Sequence, residues 1–339
     1  MKRLTNIDIA KGIGILLVVL DHCYPIENPL NNWICSFHMP LFLILTGMLY
    51  GIRVENGGKP ALNLSRKIRT IVIPYFIWSV VHRIFVIGTL QVIGGTSVWD
   101  MLRSSLVSIL TFASGPTWFL STLLFAEIVF FFFRSDKMRI CAAIVLGLFG
   151  LLVPKFGDHS HQLFRTLLAF TYISVGYYLH KPLLRKGNLF TLFICAVLSI
   201  RIGTANGDVF LSSRDLGNPF FFAVTSFTGS YLVIRISSAL DTYFSKASSF
   251  LAYLGENSIL ILCLHDIALE LLRLLDAKTF YTLSNPNLLN GFLLAVVTVL
   301  ILLPAILFCN RYLYWTFGKP QSTPPSLKTT CSSSNTTEK

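Results

Sequence analysis

The first apolar segment of this 339-residue chain carries two residues that can do chemistry, Lys11 and His22. Eleven positions separate them, which on an α-helix is about 1,100° of turn and a rise of about 16 Å. The two side chains would therefore share nearly the same helix face, with a cation at one end and an imidazole towards the other. An imidazole titrates near neutral pH and can act as a general base or a nucleophile. Asp8 precedes Lys11 by three residues, close enough to pair with it.

A second candidate for binding chemistry is the basic cluster around Arg66 and Arg69, just before an apolar run. Residues at i and i+3 share a helix face, and two guanidinium groups on one face suit bidentate binding of phosphate. An ordinary topogenic cluster has the same composition, and Lys11 alone could be a snorkelling anchor. The residues leave these alternatives open.

Further polar residues lie towards the opposite half of the apolar segments. They are His38, Trp118 and His265, each at or inside an apolar run. His38 and Trp118 are also typical of a membrane interface. His265 is harder to explain in that way, because ionisable groups inside a membrane domain are costly and usually functional. Glu127 and Glu270 also lie inside apolar runs, and the sequence assigns no partner to either.

The composition indicates an integral membrane protein. Hydrophobic residues make up 53% of the chain and charged residues only 13%, with 28 Phe, and the mean hydropathy is +0.65. A soluble domain usually has about a quarter charged residues. The net charge of +12 lies in short clusters between apolar runs, which argues against nucleic-acid binding. The seven cysteines show no metal-ligand spacing, although Cys23 and Cys35 flank one loop and could pair in an oxidising compartment.

The apolar runs predict an all-α polytopic helical bundle of about ten spans. These spans are approximately 7–24, 36–52, 70–93, 117–133, 138–154, 163–180, 188–204, 217–236, 249–272 and 289–313. Ten spans would place 20 of the 28 Lys and Arg residues on the side of the termini. The positive-inside rule therefore predicts that both termini are cytoplasmic. Residues 1–318 form the predicted membrane domain, and the Ser/Thr/Pro-rich residues 319–339 form a predicted disordered cytoplasmic tail.

Several motifs in this order resemble the acyltransferase 3 family of integral membrane O-acyltransferases, in particular its members that acetylate sugars. The opening NIDIAKG resembles the family's Asp-x-x-Arg/Lys-Gly, and the pattern of a basic residue, ten residues and a histidine falls on Lys11 and His22. Arg66 and Arg69 match its Arg-x-x-Arg pattern. The other matching segments are FHMPLF at 37–42, LTG at 45–47 with Thr46 in place of the commoner Ser, PY at 74–75, GPTWFL at 115–120, and GENS at 255–258 followed by LH at 264–265.

The resemblance implies transfer of an acyl group, usually acetyl, from cytoplasmic acyl-CoA to a hydroxyl of a cell-surface glycan or lipid-linked sugar. Acetyl-CoA would be a substrate, with no permanently bound cofactor and no metal. Lys11, Arg66 and Arg69 would bind the CoA phosphates, while His22, His38 and His265 would form the catalytic group, supported by Asp8, Trp118 and Asn257. The implied location is the bacterial inner membrane, among membrane lipids.

Two questions stay open at this level. His22 could act as a general base or as an acylated nucleophile, and adjacent helix residues point about 100° apart, so Asp21 is a poor partner for it. A transporter or flippase for a polysaccharide or lipid-linked sugar also suits intramembrane charges, although no internal repeat is visible. A structural assembly protein would leave the charged residues without a task. Neither the acceptor nor the oligomeric state follows from the sequence.

Overall fold

A computed structural model of the chain describes residues 4–24, 28–59, 61–93, 97–152, 161–185, 187–279 and 287–319. In these ranges the regular secondary structure is helical, apart from one isolated antiparallel bridge between Phe210 and Asp215, and turns and loops join the helices. The α-helices are α1 (Thr5–Asp21), α2 (Pro29–Cys35), α3 (His38–Glu55), α4 (Leu64–Lys67), α5 (Ile73–Ile93), α6 (Val98–Leu110), α7 (Trp118–Phe132), α8 (Asp136–Leu152), α9 (His161–Leu184), α10 (Leu189–Ala205), α11 (Pro219–Tyr243), α12 (Ser245–Glu256), α13 (Ser258–Thr279) and α14 (Leu288–Tyr312). The predicted tail from residue 320 onwards lies outside the described residues.

The all-α class is confirmed, since helical structure covers each of the ten predicted apolar segments. Five helical stretches in the described ranges are long and apolar enough to cross a membrane. They are Pro29–Glu55, Leu64–Thr89, Val98–Phe132, Pro219–Tyr243 and Leu288–Tyr312. The count of ten spans and the cytoplasmic position of both termini stay predictions.

The structure divides the predicted span 249–272 into two helices at Asn257. The backbone there leaves helical geometry (φ −105°, ψ 13°), and the Asn257 Nδ2 group donates to the carbonyl oxygen of Tyr253 at 2.8 Å. An asparagine side chain that bonds a nearby carbonyl in this way competes with the helix. Apolar runs flank the short polar segment GENS on both sides, which explains why hydropathy alone gave one span.

Close packing of α12 on α1 brings the break at Asn257 to the middle of α1. A Cβ atom on Gly255 would overlap the carbonyl oxygen of Asp8, and one on Gly12 would overlap that of Leu251. The two backbones are therefore in direct contact, as glycine permits. This contact places Gly255 and the Asn257 that follows it beside the turn of α1 that contains Lys11.

The chain beyond α14 folds back onto the segment that contains Arg69. A π-helical turn, Ile68–Val72, joins α4 to α5, and a 3₁₀ turn, Tyr314–Phe317, follows α14. The rings of Trp78 and Phe317 stack with their centroids 5.0 Å apart. Gly318 has φ +64°, and a Cβ atom there would also overlap the carbonyl oxygen of Arg69. Both facts favour glycine at this position.

Candidate active site

Two cavities lie along α1 and α3, and the larger has a volume of about 880 Å³. Its wall is mostly apolar, with charged and amide groups gathered at one part of it. The polar lining residues are Asp8, Lys11, Thr46, Tyr253, Glu256, Asn257, Ser258, Asn310 and Lys319. We call this space the large cavity.

The second cavity, of about 340 Å³, contains the histidines and is called the histidine cavity. His22 lies just past the end of α1, His38 begins α3, and His265 lies inside α13. The rings of His22 and His265 meet edge to face with their centroids 4.7 Å apart. The structure therefore brings the three predicted catalytic histidines to one cavity from three different helices.

Met39 and Leu262 line both cavities. Met39 follows His38 on α3, and Leu262 lies one turn before His265 on α13, so the same two helices form walls of both spaces. Both side chains are buried. An unbranched Met side chain adapts readily to its surroundings. The two cavities thus adjoin at Met39 and Leu262, with Lys11 in one and the histidines in the other.

The hydrogen bonds of the histidine rings determine which ring nitrogen carries the proton. Nδ1 of His22 lies 2.9 Å from the carbonyl oxygen of Val18, and Nδ1 of His38 lies 2.8 Å from that of Ile34. Nδ1 of His265 lies 2.9 Å from the carbonyl oxygen of Leu262. A carbonyl oxygen only accepts, so each Nδ1 carries the proton, and each neutral ring keeps its lone pair on Nε2. Three Nε2 atoms are therefore available as proton acceptors or nucleophiles.

Asp21 lies between two of these rings. Its Oδ2 atom is 3.5 Å from Nδ1 of His22 and 3.9 Å from Nε2 of His38. The argument that adjacent helix residues diverge does not separate His22 from Asp21 here, because α1 ends at Asp21. Asp21 is therefore within ion-pair distance of either ring when that ring is protonated.

Cys35 adds a thiol to the histidine cavity. Its Sγ atom donates to Oδ1 of Asp21 at 2.8 Å, while the Sγ of Cys23 donates to the carbonyl oxygen of Val19. Both cysteines are free, so the structure does not pair them. Asp21, Cys35 and His38 offer ligand atoms within 4.8 Å of one another, a set of types that zinc accepts. The thiol–carboxylate hydrogen bond accounts for the same proximity.

Two deeply buried polar atoms of the histidine cavity have no hydrogen-bond partner among the described residues. They are Oδ1 of Asn31 and Nε2 of His265, in side chains 4% and 0% exposed. Both act as acceptors here, and a buried polar atom left unpaired costs free energy. Nη2 of Arg273 donates to the carbonyl oxygen of His22 at 2.8 Å and adds a cation to the cavity lining. The cavity can therefore bind hydroxyl donors and stabilise a developing oxyanion.

Trp118 begins α7 and also lines the histidine cavity. The guanidinium carbon of Arg165 lies 5.1 Å from the centroid of the Trp118 ring. Arg165 is buried and donates to the carbonyl oxygen of Ser212 at 2.9 Å. The indole is therefore held against a cation that also binds the loop before α11.

At the other end of α1, Lys11 Nζ lies 3.4 Å from Oδ1 of Asp8, with exposed side-chain fractions of 26% and 14%. The sequence prediction that these residues pair is confirmed. Asn257 accepts at Oδ1 from Nζ of Lys319 at 2.6 Å and from Nδ2 of Asn310 at 2.8 Å. The predicted supporting residue Asn257 thus connects Lys319 and Asn310 in the wall of the cavity that Lys11 also lines.

Arg66 and Arg69 are exposed and do not line either cavity in the described residues. The lysine between them, Lys67, points inward instead. Its Nζ lies 2.5 Å from Oε1 of Glu127, which also accepts from the hydroxyl of Tyr50 at 2.6 Å. Glu127 is fully buried. The basic segment is therefore fixed to α3 and α7 by a buried ion pair.

That ion pair lies next to the large cavity. Tyr50 is one turn after Thr46 on α3, and Glu127 is one turn after Leu123 on α7; Thr46 and Leu123 both line the cavity. Together with the contact between Gly318 and the Arg69 backbone, this brings the Arg66–Arg69 segment to the outer edge of the large cavity. Two of the cations predicted to bind phosphate, Arg66 and Arg69, thus lie beside the cavity that Lys11 lines.

Sequence reasoning missed several residues of the site. Cys35, Asn31 and Arg273 line the histidine cavity, but no spacing linked them to His22. Lys319 lines the large cavity, although its composition placed it at the start of a tail. The sequence did mark Glu127, as a carboxylate inside an apolar run, but only the fold identifies Lys67 and Tyr50 as its partners.

Comparison with known protein families supports one assignment. The acyltransferase 3 family model, described as an acyltransferase domain, matches residues 4–308. That range covers α1 to α13 and most of α14, including the three histidines, Lys11 and the Arg66–Arg69 segment. No curated protein and no solved structure matches the chain.

Proposed function

The chain belongs to the acyltransferase 3 family and is a membrane acyltransferase, and from that premise we propose that it transfers an acetyl group from acetyl-CoA to a sugar hydroxyl. The acceptor is a cell-surface glycan or a lipid-linked sugar precursor, and the enzyme works in the inner membrane of a bacterium. The observation that carries the proposal is the junction of the two cavities at Met39 and Leu262. A donor in the large cavity can there present its thioester to the histidines.

The large cavity suits an acyl-CoA donor by size and by the distribution of charge. An extended pantetheine arm needs a long apolar passage with a cationic end for the phosphates, and phosphate prefers Lys and Arg. Lys11 lies in the cavity, and the Arg66–Arg69 segment lies at its edge. The rise of about 16 Å between Lys11 and His22 along a helix is comparable with the length of such an arm.

The histidine cavity suits a hydroxyl acceptor. Its buried unpaired atoms, Oδ1 of Asn31 and Nε2 of His265, are both hydrogen-bond acceptors, so the complementary ligand is one that donates hydroxyl protons. The indole of Trp118 offers an aromatic face to a sugar ring. A cavity of about 340 Å³ limits the acceptor to a small group, such as one sugar residue of a longer glycan.

In the proposed reaction, Nε2 of His22 removes the proton from the acceptor hydroxyl as its oxygen attacks the thioester carbonyl. The tetrahedral oxyanion forms beside Arg273, which can stabilise its charge. The carbon–sulfur bond then breaks, and the departing CoA thiolate takes the proton from His22. The products are the acyl ester and free CoA. Asp21, within 3.5 Å of the His22 ring, stabilises the imidazolium in between.

An acyl-histidine intermediate is the alternative course for the same residues. In that case Nε2 of His22 attacks the thioester itself, CoA leaves, and the acyl group then passes to the hydroxyl. Brief incubation with radiolabelled acetyl-CoA, without acceptor, separates the two courses. Label retained on wild-type protein but not on His22→Ala supports the acyl-histidine.

The test of the proposed function uses purified full-length protein in lipid nanodiscs. We expect saturable binding of radiolabelled acetyl-CoA. In cells that express the protein, we expect label to appear in cell-surface glycans. A transporter or flippase for a sugar predicts no specific CoA binding. Absence of saturable binding by well-folded protein would overturn the assignment of acetyl-CoA as donor.

A further inference from the structure

Lys319 lies in the wall of the large cavity, eleven positions beyond the last residue that the family model matches. The family resemblance therefore does not assign it a role. It follows the 3₁₀ turn Tyr314–Phe317, after the end of α14. The composition of the surrounding sequence places Lys319 at the start of the predicted tail, whereas the structure places it in the wall of the large cavity.

The backbone before Lys319 is fixed on two sides. Phe317 is buried and stacks on Trp78, and Gly318, with φ +64°, lies against the carbonyl oxygen of Arg69. The amide of Lys319 donates to the carbonyl oxygen of Tyr314 at 3.0 Å. These contacts direct the lysine from the segment that contains Arg69 into the cavity.

The ammonium group of Lys319 is held by two neutral oxygens. Nζ donates to Oδ1 of Asn257 at 2.6 Å and to Oδ1 of Asn310 at 2.8 Å. An ammonium has three N–H donors, so two are directed to amides, and these amides do not neutralise the positive charge. Lys11, by contrast, lies 3.4 Å from the carboxylate of Asp8.

The groups around Lys319 allow its ammonium group to bind an anion. Burial lowers the pKa of Lys319 from the ordinary lysine value, and the charge of Glu256 opposes that shift. A further negative charge in the cavity would stabilise the ammonium in the same way. Among the described residues the hydrogen-bond partners of the Lys319 ammonium group are amide oxygens, so an incoming phosphate oxygen can pair directly with this cation.

We propose that Lys319 is a donor-binding residue whose ammonium group binds a phosphate oxygen of the acyl donor in the large cavity, which Lys11 also lines. This inference rests on the proposed function, because it takes acyl-CoA as the ligand. The phosphate belongs either to the diphosphate or to the 3′-phosphate of CoA, which present the same chemistry. Asn257 and Asn310 are positioning residues that hold the ammonium.

The experiment measures dissociation constants on purified full-length protein in nanodiscs. The ligands are acetyl-CoA, 3′-dephospho-acetyl-CoA, which keeps the diphosphate, and S-acetylpantetheine, which carries no phosphate. Loss of one charge-assisted hydrogen bond in K319Q should weaken acetyl-CoA binding about tenfold, equivalent to about 1.4 kcal/mol, and leave S-acetylpantetheine unchanged. The matched control is K246Q, which removes an exposed lysine at the start of α12 and should change neither ligand.

The 3′-dephospho ligand identifies the phosphate. If K319Q also weakens 3′-dephospho-acetyl-CoA about tenfold, the contact is with the diphosphate, and if that ligand is unaffected, the contact is with the 3′-phosphate. Either result supports the inference. Unchanged acetyl-CoA binding in K319Q, or equal weakening of acetyl-CoA and S-acetylpantetheine, would overturn it. Wild-type protein that binds no acetyl-CoA would instead contradict the proposed function.

A second measurement needs no variant and so does not depend on how K319Q folds. Reductive methylation of wild-type lysines, quantified by mass spectrometry, should be at least fivefold slower at Lys319 with saturating acetyl-CoA than without it. S-acetylpantetheine should give no such protection, and Lys246 should react equally in all samples. Equal methylation of Lys319 with and without acetyl-CoA would contradict the inference.

Discussion

The large cavity and the histidine cavity share two walls but differ in what their polar groups can do. In the large cavity the polar groups are two lysines, two carboxylates, amides and hydroxyls, which can bind a ligand through charge and hydrogen bonds. In the histidine cavity they are three imidazoles, a thiol, a carboxylate and unpaired acceptors, which can move a proton. The comparison separates donor binding from chemistry along one pair of helices, α1 and α3.

The two cavities meet at a small junction, where a single side chain can affect acyl transfer. Lys11 lies on α1 and His22 directly follows its last residue, yet each lines a separate cavity. Among the residues that the structure describes, Met39 and Leu262 are the two that line both cavities. Binding at one end and chemistry at the other can therefore be disabled separately, and each of the following predictions tests that separation.

The largest expected effect is that of His22→Ala on transfer. Removing the proposed base should lower the transfer rate by about 10²–10⁴-fold while the dissociation constant of acetyl-CoA stays within about twofold of wild type. Initial rates with radiolabelled acetyl-CoA in nanodiscs measure the first, and equilibrium binding measures the second. His180→Ala serves as control, because His180 lies near the far end of α9 beside Glu55. Full transfer by His22→Ala would contradict the assignment of catalysis to the histidine cavity.

The next effect concerns the junction. Met39→Phe replaces an adaptable side chain with a rigid ring at the shared wall and should lower transfer by at least about tenfold, with acetyl-CoA binding retained. Overpacking costs typically about 1–3 kcal/mol, so thermal stability is measured in parallel. Met138→Phe makes the same substitution on an exposed face of α8 and should leave transfer unchanged. A variant that loses acetyl-CoA binding together with transfer would show that the two cavities are not separable at Met39.

Lys11→Gln should act in the opposite way from His22→Ala. Loss of the Lys11 cation from the large cavity is expected to weaken acetyl-CoA binding about tenfold, since hydrogen bonds to charged groups are worth about 1.5–3 kcal/mol and Asp8 already engages part of that charge. The rate at saturating donor should change little. Kinetics over a range of acetyl-CoA concentrations separates KM from kcat. An unchanged KM with a reduced kcat would place Lys11 with the chemistry instead.

The smallest expected effect is that of Glu127→Gln. This variant removes the buried negative charge that holds Lys67 and with it the Arg66–Arg69 segment at the outer edge of the large cavity. Because Lys67 is partly exposed, we expect a loss of about 1–3 kcal/mol of stability and a rise of a few-fold in KM for acetyl-CoA.

The matched control for Glu127→Gln is Glu55→Gln, which disrupts the exposed pair with Lys181 and should leave KM unchanged. Thermal unfolding in nanodiscs and steady-state kinetics give the two readouts. If Glu127→Gln lowered kcat at an unchanged KM, the buried ion pair would belong to the chemistry rather than to the donor end.

The amino-acid sequence by itself determined the helical class and the identity of the main chemical groups. Apolar runs of the length of a membrane span must become helices in lipid, because every backbone polar group has to be satisfied within its own segment. The spacing of Lys11 and His22 along one helix is a local property, so the sequence alone could place a cation and an imidazole at different depths. The motifs at His38, Trp118 and His265 likewise marked residues that the structure brings to one cavity.

Only the tertiary structure decided which distant residues meet. The pairing of Glu127 with Lys67, the contact between the rings of His22 and His265, and the entry of Lys319 into the large cavity all depend on segments far apart in the chain. The break at Asn257 and the contact of Gly255 with α1 depend on hydrogen bonds and close backbone approach, to which hydropathy is insensitive. Contacts of this kind arise when helix faces pack against each other, and a single sequence read segment by segment carries no record of which faces those will be.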